Sequence, residues 1–235
     1  MHALSAPELL SVWEYGNSQL PLQRALTVLT AASPETSSDS LARLTIGQRD
    51  ARLLALREMM FGSKLTGVTD CPNCGEKIEL SLNCSDLHSA TESEPPAELS
   101  VQSNGGELRF RLPTSADLLA VSSPEALLER CLLSGGNHLT EDIVAAAAEK
   151  MSCADSMADV HLALNCPSCG HKWKAPFDIV AFLWREISGT ARLDSASGLI
   201  DELSRKYTGQ AWVEKQTRPR VNVIVTPAHQ HDYSE

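Results

Sequence analysis

The sequence has few aromatic residues, few basic residues and no long apolar run. Aromatic residues make up 5% of the 235 residues, so Leu, Ala, Val and Ile must supply most of the core. Lys and Arg number 20 against 30 Asp and Glu, and the net charge of −10 argues against nucleic-acid binding. No stretch approaches the roughly 18 continuous apolar residues of a membrane span, and the start lacks the pattern of a signal peptide. We therefore expect a globular cytoplasmic protein with no membrane partner.

The familiar patterns of catalytic sites are also missing from the sequence. It contains neither G-x-x-x-x-G-K-[ST] nor G-x-G-x-x-G, the loops that cradle phosphates, and it lacks HExxH, G-x-S-x-G and the zinc deaminase signature. The seven histidines are scattered without a spacing that pairs them, and we expect His229 and His231 to be exposed to solvent. The sequence thus predicts no catalytic residue, no small-molecule substrate and no enzyme.

Two cysteine-rich heptapeptides form the one internal repeat that we find. Residues 71–77 read CPNCGEK and residues 166–172 read CPSCGHK, so five of the seven positions are identical. In each, two Cys three residues apart direct both sulfur atoms to one point, Pro sets φ for the turn, and Gly tolerates φ > 0. Neither half supplies the four ligands of tetrahedral zinc. We therefore predict one structural Zn²⁺ site formed by four thiolates. Its ligands would be Cys71, Cys74, Cys166 and Cys169.

The separation of the two pairs is unusual for a zinc ribbon. Cys74 and Cys166 are separated by 91 residues, whereas a common ribbon has roughly 15–20 between its pairs. The entropy of loop closure grows by only about 0.6 kcal/mol per doubling of length, so the longer loop costs about 1–2 kcal/mol more. Structural zinc binding contributes about 10 kcal/mol or more. The spacing is therefore compatible with a ribbon split by an insertion.

Three other interpretations of the cysteines remain open from the sequence. A Cys-Pro-x-Cys dithiol can be redox-active, although that motif normally begins a helix, and here an alternating strand pattern follows. Cys71 and Cys74 could instead form a local site with Cys84 and His88. Disulfides or free thiols are the third interpretation. Seven cysteines, partly in CxxC pairs, fit a reducing compartment better than a secreted disulfide framework. We expect the other thiols to be small buried residues, namely Cys84, Cys131 and Cys153.

Hydrophobic periodicity and turn residues predict an α+β protein that is mostly helical. We expect a helical segment over residues 1–64, a split four-cysteine zinc ribbon over 65–175, C-terminal helices over 176–208, and a flexible tail over 209–235. The insertion in the ribbon, at about 85–164, should hold a hairpin and short helices. We predict a polar loop at 33–40 and strands at 77–82, 99–102, 108–112 and 172–175. The predicted helices before the second cysteine repeat are 46–60, 116–121, 124–133 and 141–151, with a further short helix that ends near residue 164. Two more helices are predicted at 178–188 and 195–207.

The helix predicted at 46–60 has an apolar face and a charged face. The charged side carries Arg49, Arg52 and Arg57 together with Asp50 and Glu58. Such a face is either solvated and laced with salt bridges or a surface on which a partner docks. If the cysteines form a closed clasp, residues 48–58 are the first place where we expect a partner to bind.

Several stretches together resemble a known family. They are residues 44–58 (LTIGQRDARLLALRE), Phe61-Gly62, the two cysteine repeats, and residues 109–118 (RFRLPTSADL). The set resembles baseplate proteins of T-even-like contractile tails, found in phages and related contractile injection systems. The resemblance extends over roughly residues 5–205. The order of these motifs is fairly specific, whereas the CxxC pairs alone would not be.

The resemblance implies a structural or chaperone-like assembly role in the baseplate hub. The implied partners are baseplate hub or tube proteins. The implied location is the cytoplasm of the bacterial host, with incorporation into the tail particle left open. From the residues alone, the alternative is a zinc-ribbon adaptor that binds nucleic acid or an enzyme acting on it.

Overall fold

The structure is a computed structural model that describes residues 1–87, 94–103, 106–135, 139–204, 220–222 and 224–227, with side chains described as far as residue 192. Its elements follow the predicted α+β class, with helices at both ends of a split ribbon and a hairpin-and-helices insertion between the ribbon halves. Every helix in these ranges is too short or too polar to cross a membrane.

Four helices precede the first strand. They are α1 (Ala6–Gly16), α2 (Pro21–Ala32), α3 (Ser38–Ala42) and α4 (Ile46–Phe61). The carboxylate of Glu8 accepts the Ser5 backbone N–H at 2.8 Å, which caps the start of α1. Residues 33–40 are not wholly a loop, because Ser37 caps the short helix α3 by accepting from the Ser40 N–H at 3.2 Å. The second half of the predicted polar loop therefore contains the N-cap and the first residues of a helix.

Two antiparallel hairpins form the ribbon. The first hairpin is β1 (Lys64–Asp70) with β2 (Lys77–Asn83), and the second hairpin is β6 (Val160–Asn165) with β7 (Lys172–Pro176). The sequence predicts β2 and β7 but not β1. The predicted short helix ending near residue 164 is wrong: Ser156–Ala158 forms one 3-10 turn and β6 follows. Val160, Leu162 and Leu164 alternate as buried residues, a period that fits a strand.

The insertion between the hairpins has its own apolar cluster. A short helix α5 (Cys84–Leu87) is followed by β3 (Leu99–Ser103), β4 (Gly106–Phe110), α6 (Ser115–Ala120), α7 (Pro124–Cys131), β5 (Leu132–Ser134) and α8 (Glu141–Ala154). The predicted hairpin is confirmed, and β5 joins it as a third strand. Phe110 is fully buried between the sheet and the helices, and Leu108, Leu128 and Ile143 pack around it.

The chain ends in one long helix and two short strands. Helix α9 (Ile179–Ser204) replaces the two helices predicted at 178–188 and 195–207. Its buried face runs through Ile179, Leu183, Ile187 and Ala191. The apolar stripe therefore continues past residue 188, where the first of the two predicted helices ends.

Part of the expected flexible tail is in the ribbon. Strand β8 (Arg220–Asn222) pairs in parallel with β2, and β9 (Ile224–Pro227) pairs antiparallel with β6. The apolar run at 221–225 supplies strand-forming residues at this point. One C-terminal segment thereby adds a strand to each hairpin, and the other residues of the expected tail lie outside the described ranges.

The larger apolar core unites the N-terminal helices, both hairpins and α9. Its fully buried members include Leu29, Leu54, Leu65, Ile78 and Ile187. These residues come from the beginning, the middle and the end of the chain, so the two halves of the ribbon share one core although 91 residues separate their cysteines.

The insertion contacts the rest of the protein at the start of α4. Asp155 accepts the Gly47 N–H at 2.8 Å, and Pro113 C=O accepts the Ile46 N–H at 3.3 Å. A Cβ on Gly47 would overlap the Asp155 carboxylate, so glycine is needed for this close approach. Burial raises the pKa of Asp155, and the Gly47 N–H opposes that shift. A buried carboxylate thus satisfies a free N–H at the helix start.

Asp117 is the ionic centre of the insertion. Its side chain is 3% exposed and accepts from Arg111 at 2.6 and 2.8 Å, from Arg130 at 2.7 Å and from Thr114 at 2.7 Å. The Arg111 hydrogen bonds lower the pKa of Asp117 far below its ordinary value, and Thr114 and Arg130 reinforce this against the effect of burial. One carboxylate therefore connects the end of β4, α6 and α7.

Asp117→Asn is expected to destabilise the protein by about 2 kcal/mol at pH 7, because it removes charged hydrogen bonds. A lowered folded pKa means that the stabilisation is complete above the unfolded pKa of about 4 and is lost as the pH falls towards the folded pKa. The difference between wild type and variant in urea unfolding should therefore shrink below about pH 4. Asp142→Asn, on an exposed carboxylate of α8, is the control. A difference independent of pH would contradict this role for Asp117.

Candidate metal centre

The turn of the first hairpin presents two sulfur atoms to one point. The Cys71 N–H donates to the Glu76 C=O at 2.9 Å, and the Gly75 N–H donates to the Cys71 C=O at 2.9 Å. Gly75 has φ of +73°, a conformation that costs glycine little. The turn between β1 and β2 is therefore fixed by its backbone, and Cys71 and Cys74 project from it on the same side.

The second hairpin repeats this geometry. The Cys166 N–H donates to the His171 C=O at 2.8 Å, the Gly170 N–H donates to the Cys166 C=O at 2.9 Å, and Gly170 has φ of +72°. The repeat in sequence is thus a repeat in structure. The strands on either side of each turn place the two cysteine-bearing turns at the same end of the ribbon, where they face each other.

Four sulfur atoms meet between the two turns, and together they are called the sulfur cluster (Cys71, Cys74, Cys166 and Cys169). Cys71 Sγ lies 3.7 Å from Cys169 Sγ, and Cys74 Sγ lies 3.6 Å from Cys166 Sγ. All four lie within 4.8 Å of one another. Four sulfurs at about 2.3 Å from a tetrahedral ion are about 3.8 Å apart. The donor set and its spacing can therefore hold a metal ion.

The cluster is half buried and electrostatically unbalanced. Cys71 and Cys166 are 3% and 0% exposed, whereas Cys74 and Cys169 face solvent. Asn73 Nδ2 lies 3.5 Å from Cys169 Sγ, and this contact, with a backbone bond from His171, lowers the pKa of Cys169 to about 6. Nothing in the sequence pattern singles out Asn73, because it occupies a variable position of the repeat.

The pKa of Cys74 shows the opposite behaviour. A backbone hydrogen bond from Glu76 lowers it, but the sulfurs of Cys169, Cys166 and Cys71 together with burial raise it to about 12. Hydrogen bonds thus favour the thiolate of Cys169, whereas the neighbouring sulfurs disfavour the thiolate of Cys74, because like charges this close repel one another. A divalent cation would relieve this repulsion. Four thiolates would also complete its tetrahedral coordination and leave no position for a substrate.

The remaining thiols lie apart from the cluster. Cys84 is fully buried beside Arg57, whose Nη1 is 3.9 Å from its sulfur, and burial raises its pKa. It is therefore separate from the local site considered with Cys71 and Cys74, and His88 of that alternative lies outside the described residues. Burial also raises the pKa of Cys131, to about 11. Cys153 is exposed, which corrects the expectation that all three are buried.

The arginine face of α4 matches its predicted solvated, salt-bridged character only in part: Arg52 is exposed and Arg49 pairs with Asp50 at 2.7 Å, whereas two of the three arginines are buried. Arg49 and Arg57 are 7% and 2% exposed, so they are neither solvated nor available as a docking face. Arg57 Nε and Nη2 donate to the two carboxylate oxygens of Glu186 at 2.8 and 2.6 Å, and Nη2 also donates to the Lys64 C=O at 2.9 Å. Arg57 therefore joins α4 to α9 and to the start of β1. The reason is tertiary: α9 covers this side of α4.

These features define a mixed α/β protein whose two hairpins bring four cysteines to metal-binding distance. Comparison with known proteins then supplies the family. The chain belongs to the family described as T4 bacteriophage base plate protein, whose sequence profile matches residues 16–134, just over half of the 235 residues. The resemblance to baseplate proteins is thereby confirmed. No curated protein and no solved structure matches the chain.

The matched residues include α4, the first hairpin and most of the insertion. They end before the second hairpin, so Cys166 and Cys169 lie outside the match. Membership supports a structural or assembly role in the phage baseplate, with partners among baseplate proteins.

Proposed function

We propose that this chain is a non-enzymatic structural or assembly protein of a contractile-tail or injection-system baseplate. It acts through contacts with hub or tube proteins, and a structural Zn²⁺ bound by Cys71, Cys74, Cys166 and Cys169 holds its ribbon together. The family match over residues 16–134 carries the role in the baseplate. The convergence of four sulfurs within 4.8 Å supports the metal site.

Zinc is the metal that this donor set favours. Thiolates are soft ligands, a tetrahedral arrangement of four suits Zn²⁺, and the hairpin turns hold the sulfurs in place through backbone bonds. The proposed work of the ion is mechanical. It joins two hairpins that lie on either side of the insertion, so that α4 and α9 pack against one core.

Co-expression with hub and tube proteins of a contractile-tail baseplate tests the proposed role. The tagged full chain is expected to retain at least one of them through purification. Salt-sensitive binding to DNA or RNA, without retention of any baseplate protein, would instead support a nucleic-acid adaptor and would contradict the proposal.

A further inference from the structure

The outer edge of β1 is open in the described structure. β1 is the terminal strand of its sheet, in the order β1-β2-β8. Bonds at both ends of the hairpin define which groups face β2: the Cys84 N–H donates to Ser63 C=O at 2.8 Å, and the Cys71 N–H donates to Glu76 C=O at 2.9 Å. Antiparallel pairing alternates, so every second residue between them points its N–H and C=O away from β2. These residues are Lys64, Thr66, Val68 and Asp70.

The same four residues are exposed. Val68 is 43% exposed, which is high for a large hydrophobic residue at the centre of a strand. The Lys64 C=O already accepts from Arg57 Nη2 at 2.9 Å, so the free stretch of edge runs from Thr66 to Asp70. An exposed edge with an apolar centre is a template on which another strand can pair.

The second hairpin shows how the same ribbon protects its other edge. β7 is the terminal strand in the order β7-β6-β9, and the Cys166 N–H donates to His171 C=O at 2.8 Å. By the same alternation, its outward residues are Lys172, Lys174 and Pro176. Two lysines and a proline are residues that block edge pairing, because lysines repel and proline has no N–H to donate. β1 carries no such protection between Thr66 and Val68.

The sequence of β1 is complementary to itself in antiparallel pairing. A two-fold axis at Gly67 places Thr66 opposite the partner's Val68, and Lys64 opposite the partner's Asp70. The Thr66–Val68 pairs use outward N–H and C=O groups and can exchange hydrogen bonds. Gly67 falls in a non-hydrogen-bonded pair, where the two backbones come closest and the absence of a side chain helps. Opposite charges would meet at both ends, where Asp70 also forms an exposed pair with Lys77 of its own hairpin at 2.9 Å.

We propose that β1 pairs antiparallel with β1 of a second copy of this chain, joining two ribbons into one continuous sheet. The interface is isologous and centred on Gly67. It needs no residue of the sulfur cluster, and it does not depend on the proposed role in the baseplate.

Sedimentation of the purified full chain tests this proposal. The wild type is expected to show a concentration-dependent species of twice the chain mass of 25.4 kDa. Val68→Pro removes an outward N–H and no bond to β2, so it should give the monomer mass while keeping wild-type zinc content and circular dichroism. Lys174→Pro makes the same change on the edge of β7 and should leave the dimer intact.

A charge exchange tests the register. Lys64→Asp places like charges opposite each other at both ends of the interface and should weaken dimerisation about tenfold. Adding Asp70→Lys restores opposite charges between the two copies and should recover most of that loss, because the exposed Asp70–Lys77 pair that it removes contributes little. A wild-type protein that stays monomeric would overturn the proposal. If, in addition, Val68→Pro abolished retention of a baseplate protein, the edge of β1 would instead bind that protein. Equal effects of the two proline variants, or no recovery in the double variant, would also overturn it.

Discussion

Cys166→Ser is expected to lose bound zinc and to lower the free energy of unfolding by several kcal/mol. Structural zinc contributes about 10 kcal/mol in small zinc domains, and this chain also has a shared core that survives the loss in part. The remaining three sulfurs would leave one coordination position open, and the join between the hairpins would weaken. Zinc per chain, measured on the purified protein, should be about one for the wild type.

Two comparisons make this result specific. Cys71→Ser, in the other hairpin, should have the same effect as Cys166→Ser, because a split site needs both halves. Cys153→Ser should retain zinc and stability, since this thiol is exposed and outside the sulfur cluster. Retention of zinc in Cys166→Ser would contradict a site formed by both hairpins. A chelator should lower the unfolding temperature of the wild type and of Cys153→Ser, but not that of Cys166→Ser.

Glu186→Leu is expected to destabilise the protein by about 3 kcal/mol, because it leaves the buried Arg57 guanidinium without its carboxylate. The Arg57 side chain is 3% exposed and that of Glu186 is 27% exposed, so solvent can replace little of the lost interaction. The Glu186 hydrogen bonds raise the pKa of Arg57, against burial, so the side chain stays charged. Denaturant unfolding monitored by tryptophan fluorescence measures the change.

A second substitution separates the buried charge from simple loss of packing. Arg57→Met combined with Glu186→Leu should be less destabilising than Glu186→Leu alone, because no charge is then left buried. Glu58→Leu, at an exposed position of the same helix as Arg57, should change stability by less than about 0.5 kcal/mol. If the double variant were less stable than Glu186→Leu, the cost would lie in packing and not in the unpaired charge.

The sequence by itself determined the local features of this protein. The alternation of β2 and the Gly that follows each cysteine pair act within a few residues, and both are present in the structure. The repeat of CPxCG was enough to pair the two distant turns as one candidate site. A zinc ligand set is readable in this way because tetrahedral coordination by protein ligands alone requires four, and each half carries two.

Only the tertiary structure decided what depends on distant neighbours. Arg57 of α4 belongs to a charged face in the sequence, but in the structure it is buried against α9, where Glu186 pairs with it, while Arg52 of the same face stays exposed. Helix α9 continues past Gly189 because its buried stripe continues, and packing outweighs a weak helix former. The strands β8 and β9 form because β2 and β6 are present to pair with them. Pairing between strands that are distant in sequence depends on both partners, so a local sequence pattern predicts it poorly. Turns and caps depend on adjacent residues, and a local pattern can predict them.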